Sequence, residues 1–282
     1  MTGQYKLDMH IHTSETSSCG QIAGAEVARL YREAGYQGIM ITDHYHKEYF
    51  EGLGDMKPDE KIERFLTGYR AARAEGERIG LDVLLGIEFR NRETDNDFLI
   101  TGITEQFLHA YPDTYMLPLE QAIDLFHRHH MLVIQAHPVR FAVMDRSGSG
   151  IAPRGCSSGM IKELRQNPQM PVISQEAWKK LQQNHREESV QTPFVLQVCR
   201  LMCPDKLDGI EVYNGNIGWA QDPDAVQAIL REHPQYIKTS ASDFHELAHL
   251  ARGGMILDRR VKTSAELRNA LLDGAVKEWI QH

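Results

Sequence analysis

The chain has 282 residues, 41% hydrophobic and 25% charged, which is ordinary globular make-up and long enough for one large domain with a buried core. A formal net charge of −8 excludes a general electrostatic attraction to nucleic acid, and no apolar run is long enough to span a bilayer. The run Met1-Thr2-Gly3-Gln4-Tyr5-Lys6 lacks the apolar stretch of a signal peptide, so a cytoplasmic location is expected. The four cysteines (Cys19, Cys156, Cys199, Cys203) make no disulfide framework, and Cys199 and Cys203 read as two reduced thiols able to share a helix face.

Strand-like and helix-like runs alternate along the chain. Tyr5 to His12 is a strand ending in histidines, and Ala25 to Ala34 a helix with Val27, Leu30, Tyr31 and Ala34 at helical spacing. Gly35 stops that helix, and Gly38 to Thr42 is a continuous apolar strand of the buried, parallel kind. A helix over Asp59 to Ile79 precedes a strand over Val83 to Ile87, and a helix over Leu119 to His130 precedes Leu132 to Ile134. Gly209 to Val212, a helix over Asp224 to Glu232, Tyr236 to Ser240, Met255 to Leu257 and a helix over Ser264 to Leu272 complete the pattern. This rhythm predicts a parallel sheet, and its length fits a single α/β barrel over 1–282 better than an open sheet. From about 141 to 204 the chain turns polar, beginning Arg146-Ser147-Gly148-Ser149-Gly150, and reads as an insertion that is either a lid or a peripheral decoration.

The chemistry-bearing residues stand where the apolar strands stop. His10-Ile11-His12 closes the first, and alternation puts both imidazoles on one face. Thr42-Asp43-His44, Gly86-Ile87-Glu88, Gln135-Ala136-His137-Pro138 and Ser242-Asp243-Phe244-His245 close four others. In a parallel barrel such ends meet at one mouth. Their mixed nitrogen and oxygen donors suit zinc, manganese or iron, and they are too many for one tetrahedral ion, so two or three divalent ions are expected.

The ordered set His-x-His, Thr-Asp-His, Gly-x-Glu, His-Pro and Ser-Asp-x-His, running from Asp8 to about Gly254, resembles the polymerase and histidinol phosphatase (PHP) family. The resemblance implies a distorted seven-stranded α/β barrel and phosphoester hydrolysis by a metal-activated hydroxide, with Glu88, Asp243 and His245 at the catalytic centre. It places His10, His12, Glu88 and Asp243 on a first ion, Glu88 and His137 on a second, and His44 and His245 on a third. Two positions depart from the family pattern. Where many members carry an aspartate or histidine before a glycine, this chain has Cys19 before Gly20, with Glu15 nearby; Cys19 is either a thiolate ligand or a small buried thiol. Where a histidine is usual on the strand after Glu88, the chain has Asp97, an oxygen ligand in its place or the mark of a weak second site.

Arg140 and Arg252 are candidates to grip a substrate phosphate, or else form surface ion pairs. Glu211 and Asn214 either orient substrate or a ligand histidine, or cap the next helix. The expected substrate is a small phosphorylated molecule. A nuclease, a zinc amidohydrolase and a metal-bound scaffold without activity are the alternatives.

Overall fold

The structure is a computed structural model that describes residues 4–144, 194–197, 199–217 and 220–282. Its first half runs β1 (Tyr5–Ile11), α1 (Gly24–Glu33), β2 (Gly38–Ile41), β3 (His44–Tyr45), α2 (Lys47–Gly52), α3 (Pro58–Phe65), α4 (Thr67–Ile79), β4 (Asp82–Leu85), β5 (Ile87–Arg90) and β6 (Asp97–Thr101). Then follow α5 (Glu105–Ala110), α6 (Leu119–Arg128), β7 (Leu132–Gln135), β8 (Arg140–Met144) and β9 (Phe194–Gln197). The chain continues with β10 (Gly209–Asn214), β11 (Ala220–Gln221), α7 (Pro223–Glu232), β12 (Ile237–Ala241), β13 (Gly253–Leu257), α8 (Ser264–Leu272) and β14 (Val276–Gln281). No helix among the described residues is long and apolar enough to cross a membrane.

The strands form a five-stranded sheet in the order β14-β13-β1-β2-β4, a six-stranded sheet β12-β10-β7-β6-β5-β3, and a small sheet β11-β8-β9. A distorted seven-stranded barrel is the expectation, and among the described residues no closed barrel is seen. Ladders that would run round a barrel break at Thr42-Asp43 and at Gly86, and β1 meets the segment after β12 through the Ile11–Phe244 bridge. Nor is the sheet all parallel, because β6 runs antiparallel to β5 and β7, and β13 antiparallel to β1 and β14. The link from Arg90 to Asp97 is too short for the crossover a parallel neighbour needs, so a reversal is forced. Most of the proposed insertion at 141–204 lies outside the described residues; β8 and β9, near its two ends, pair antiparallel.

Two cores hold this arrangement. An inner cluster draws Leu7, Met9, Met40 and Met255 from one sheet and Leu99 and Ile134 from the other, so the two sheets bury their facing sides against each other. An outer cluster packs helices on the sheets through residues such as Val27, Tyr31, Ile62, Phe65 and Phe126. The register of β1 on β2 shifts between Asp8 and Ile11, a bulge of the kind that re-aims side chains. Up to Met9 the strand keeps its facing, with Met9 in the inner core and Asp8 at the Tyr31 hydroxyl; from His10 on, His10 and His12 turn towards the mouth.

The helix expected over Asp59 to Ile79 is broken at Leu66 into α3 and α4. The break seats Gly68 against the Thr13 side chain and brings the Gly68 carbonyl against Gly24, at the start of α1; an added Cβ at either glycine would overlap its neighbour. Gly68→Ala should therefore lower stability by about 1–3 kcal/mol through forced displacement of α4 or of the Thr13 turn. A thermal midpoint unchanged from wild type would show that the contact has slack.

Candidate metal centre

Seven donors predicted from strand ends, His10, His12, His44, Glu88, His137, Asp243 and His245, lie together at the mouth between the sheets. His10 Nε2 is 3.1 Å from Glu88 Oε1 and 3.3 Å from Asp243 Oδ1, and His12 Nε2 is 3.4 Å from Glu88 Oε2 and from Asp243 Oδ1. His44 Nδ1 approaches Glu88 Oε2 at 2.8 Å, and His137 Nε2 lies 3.2 Å from Glu88 Oε1. The His12 ring centroid is 4.5 Å from that of His44 and 4.3 Å from that of His245. Ligand atoms close enough to share an ion fall into four overlapping groups: His10, His12 and Asp243; His10, Glu88 and His137; His44, Glu88 and Asp97; and His12, Cys19, His44 and His245.

Outer partners fix which nitrogen of each ring faces inward. His10 Nδ1 meets Glu211 Oε1 at 3.0 Å, His12 Nδ1 meets Ser17 Oγ at 3.2 Å, and His245 Nδ1 meets the Asp243 carbonyl at 2.8 Å. A proton on each Nδ1 satisfies these contacts and leaves each Nε2 lone pair bare. Ser17 Oγ donates to Asp43 Oδ1 and accepts the His44 N–H, and Asp43 also takes the Thr13 N–H and hydroxyl, so the Thr13–Gly20 turn that carries Cys19 is tied to the second strand end.

A fit for metal rests on what these groups lack. His10 Nε2, His12 Nε2, His44 Nδ1 and Glu88 Oε2 are all buried without a hydrogen-bond partner among the described residues, although they face one another at ion-pair distances. Four convergent unpartnered atoms would each cost about 1–3 kcal/mol in an apo protein, and a cation among them removes that cost. Burial pushes the Glu88 and Asp243 carboxyls up, but the imidazoles of His44 and His10 hold Glu88, and His10, His245 and Arg140 hold Asp243, well below the usual range. Burial, with His12 next to it, takes the His245 imidazole down to about 3. Burial pushes the His10 and His44 imidazoles down as well, but Asp243 and Glu88 hold the first, and Glu88 the second, well above the ordinary value. A divalent cation would displace those protons and take the carboxylates and freed imidazoles as its donors. Backbone strain marks the same place: among five non-glycine residues with positive φ in the described chain are His137 (31°) and Asp243 (50°).

The other predicted residues divide. Cys19 joins His12, His44 and His245. Glu15 does not reach the cluster; both its oxygens accept the Gly24 N–H at 3.0 Å, at the start of α1. Asp97 does reach it, yet both its oxygens are engaged by Arg90, at 2.7 and 2.9 Å. Arg140 lies in the site rather than on the surface, with Nη2 2.5 Å from Asp243 Oδ2. Asn214 donates to Glu211 and Asp243 at 2.8 and 3.2 Å, so in this structure it braces two site carboxylates. Arg252 Nε donates to the Gly215 carbonyl and supports that wall from outside the donor cluster. Glu211 takes both His10 Nδ1 and the His137 N–H, the orienting role read as one of its options.

Sequence reasoning missed Cys199, Arg90 and Asp8. Cys199 shares no helix with Cys203; its Sγ lies 3.6 Å from His137 Nδ1. Only the short interval to the next strand hinted at that. Asp8 is fully buried beneath the site, accepting from Tyr31 Oη and from the backbone of His10 and Ser242. Burial pushes its carboxyl up to about 6 from 3.8.

The fold is shared with a two-domain protein from Bacteroides vulgatus described as containing a predicted PHP-like metal-dependent phosphoesterase, at TM-score 0.55 and 14% identity over 99% of this chain. This chain spans 65% of that protein's length. At this identity the likeness is one of fold, and on that level it agrees with the PHP resemblance read from the motifs. Two more solved structures overlay too loosely to bear on the argument. One is a candidate metal-dependent phosphoesterase from Bifidobacterium adolescentis (TM-score 0.43, 15% identity, 94% of this chain and 95% of that one). The other is an amidohydrolase from Chromobacterium violaceum (TM-score 0.44, 13% identity, 96% and 97%). No family model and no curated protein matches the chain.

Two outcomes follow from these contacts. Glu211→Gln should weaken metal binding about 10–100-fold without unfolding the chain, as read by titration against a metal buffer. For Asp8 the folded value lies above the unfolded one, so the stability it contributes is full below the unfolded value and is lost as pH rises through about 6. Asp8→Asn should therefore gain on wild type in urea unfolding by up to about 3 kcal/mol between pH 4 and pH 7. A constant gap across that range would mean Asp8 is ionised in the fold throughout.

Proposed function

We propose that the chain is a metal-dependent hydrolase, a phosphoesterase that cleaves a small phosphorylated molecule with two or three divalent ions of zinc, manganese or iron. One observation carries this reading: four buried atoms of His10, His12, His44 and Glu88 converge at ion-pair distances without a hydrogen-bond partner among the described residues. The Bacteroides vulgatus protein that shares the fold is described as a phosphoesterase, and this favours phosphate chemistry over amide hydrolysis.

Ions bound at the mouth would acidify a water and neutralise phosphoryl oxygens. His10, His12, Glu88 and Asp243 supply one donor set, with Glu88 turned to serve a neighbouring ion as well. Cys19, His44 and His245 supply another. His44 and His245, each with a side chain 16% exposed, are more open than the other histidine and carboxylate donors of these sets and would face the substrate. Arg140 braces Asp243 and brings a fixed positive charge beside the place a phosphoryl group must occupy. A cytoplasmic setting would keep Cys19 reduced and available.

The test is metal content per chain on protein purified without chelator, together with turnover of p-nitrophenyl phosphate and its bis-ester. Bound ions, with turnover reduced to background in His12→Ala, are the expected result. Absence of ions and of turnover after supply of zinc, manganese or iron would sink the proposal.

A further inference from the structure

The two departures from the family pattern are not alike, and the second changes the reaction centre. Arg90 follows Glu88 by two residues on β5, so their side chains share a face. The β5–β6 register sets Arg90 directly opposite Asp97, and the guanidinium takes both carboxylate oxygens in a bidentate fork through Nε and Nη2. That carboxylate lies 3.8 Å from His137 Nε2 and groups with His44 and Glu88 at ligand distance, so it stands beside the donors a second ion would need. Neither hydrogen bond to Asp97 uses Nη1, and the Arg90 side chain is 18% exposed, more than Asp97 below it.

Resting on the metal-dependent reading above, we infer that Arg90 replaces the second ion: its guanidinium withholds Asp97 from metal and serves as a fixed cation for a phosphoryl oxygen of the substrate. The centre then holds two ions, one on His10, His12, Glu88 and Asp243 and one on Cys19, His44 and His245. Glu88 and His137 remain as too small a set for a third. A guanidinium neutralises phosphate by directed N–H groups and cannot acidify water, so Arg90 is a binding group whose loss falls on phosphate affinity.

The experiment counts ions by mass spectrometry in manganese-saturated, gel-filtered protein and measures inorganic phosphate binding by calorimetry, in wild type, Arg90→Met and Arg90→Lys. Two ions in wild type, a third in Arg90→Met as Asp97 is released, and phosphate affinity about tenfold or more weaker in that variant are expected. Arg90→Lys keeps the charge without the fork and should also weaken phosphate, which carries the test if the methionine variant fails to fold. Three ions in wild type, or unchanged phosphate affinity in a folded variant, overturns this inference and leaves the hydrolase intact. A chain that binds no ion overturns both.

Discussion

Glu88 and Asp243 are buried to within 1–2% of full enclosure, and they can stay ionised there only if positive charge is brought to them. Much of the mouth serves that need. Five imidazoles crowd within reach, Arg140 presses on Asp243, and Asn214 and Asn216 direct amide donors at the same Oδ2. Protonated histidines alone would be a poor answer, because His12 lies among His10, His44 and His245 and burial holds both His12 and His245 down. Charges of one sign packed this closely repel, whereas a divalent ion satisfies carboxylate and imidazole at once.

The fold meets the need by bringing distant chain ends to one spot and holding them under some strain. The bulge in β1 turns His10 and His12 from the sheet towards the mouth, and positive φ at His137 and Asp243 turns two further ligands inward. Each of the two positive-φ residues costs about 1–3 kcal/mol, which the buried cores on either side must offset. Glu211, one residue with two acceptors, locks a histidine ring on one strand and the backbone of another. Protein contacts alone thus orient the His10, His12 and His245 rings.

Much of this was legible in the sequence, and the limits have physical causes. Strand ends carrying His10, His12, His44, Glu88, His137, Asp243 and His245 could be read because a buried parallel strand such as Gly38–Ile41 is a continuous apolar run, and a polar group at its end stands out. The direction of β6 could not be read, since apolar runs look alike whichever way they point; only the short link before Asp97 carried the information. The break at Gly86 could not be read either, because it falls inside what reads as uninterrupted strand from Val83 to Ile87. Glu15 was misjudged because a carboxylate near a helix start and a carboxylate near a metal have the same sequence context. Asn214 and Arg252, both expected to meet substrate, brace the walls in the structure.

Arg90 shows how a departure can be architectural rather than accidental. Pairing across β5 and β6 fixes position 90 opposite position 97 whatever residues stand there, because register is set by the hairpin and its apolar faces. The residue at 90 therefore decides what the one at 97 can do. A neutral side chain would leave the Asp97 carboxylate to metal, whereas arginine, with a planar fork matched to a carboxylate, claims both oxygens. An aspartate on this strand does not simply stand in for a histidine as ligand, since it comes paired with the cation that occupies it. Cys19 lies instead with three imidazoles, His12, His44 and His245, where sulfur would add a soft donor for a cation. Of the two departures, one adds a sulfur to the donor cluster and the other ties its carboxylate into an ion pair.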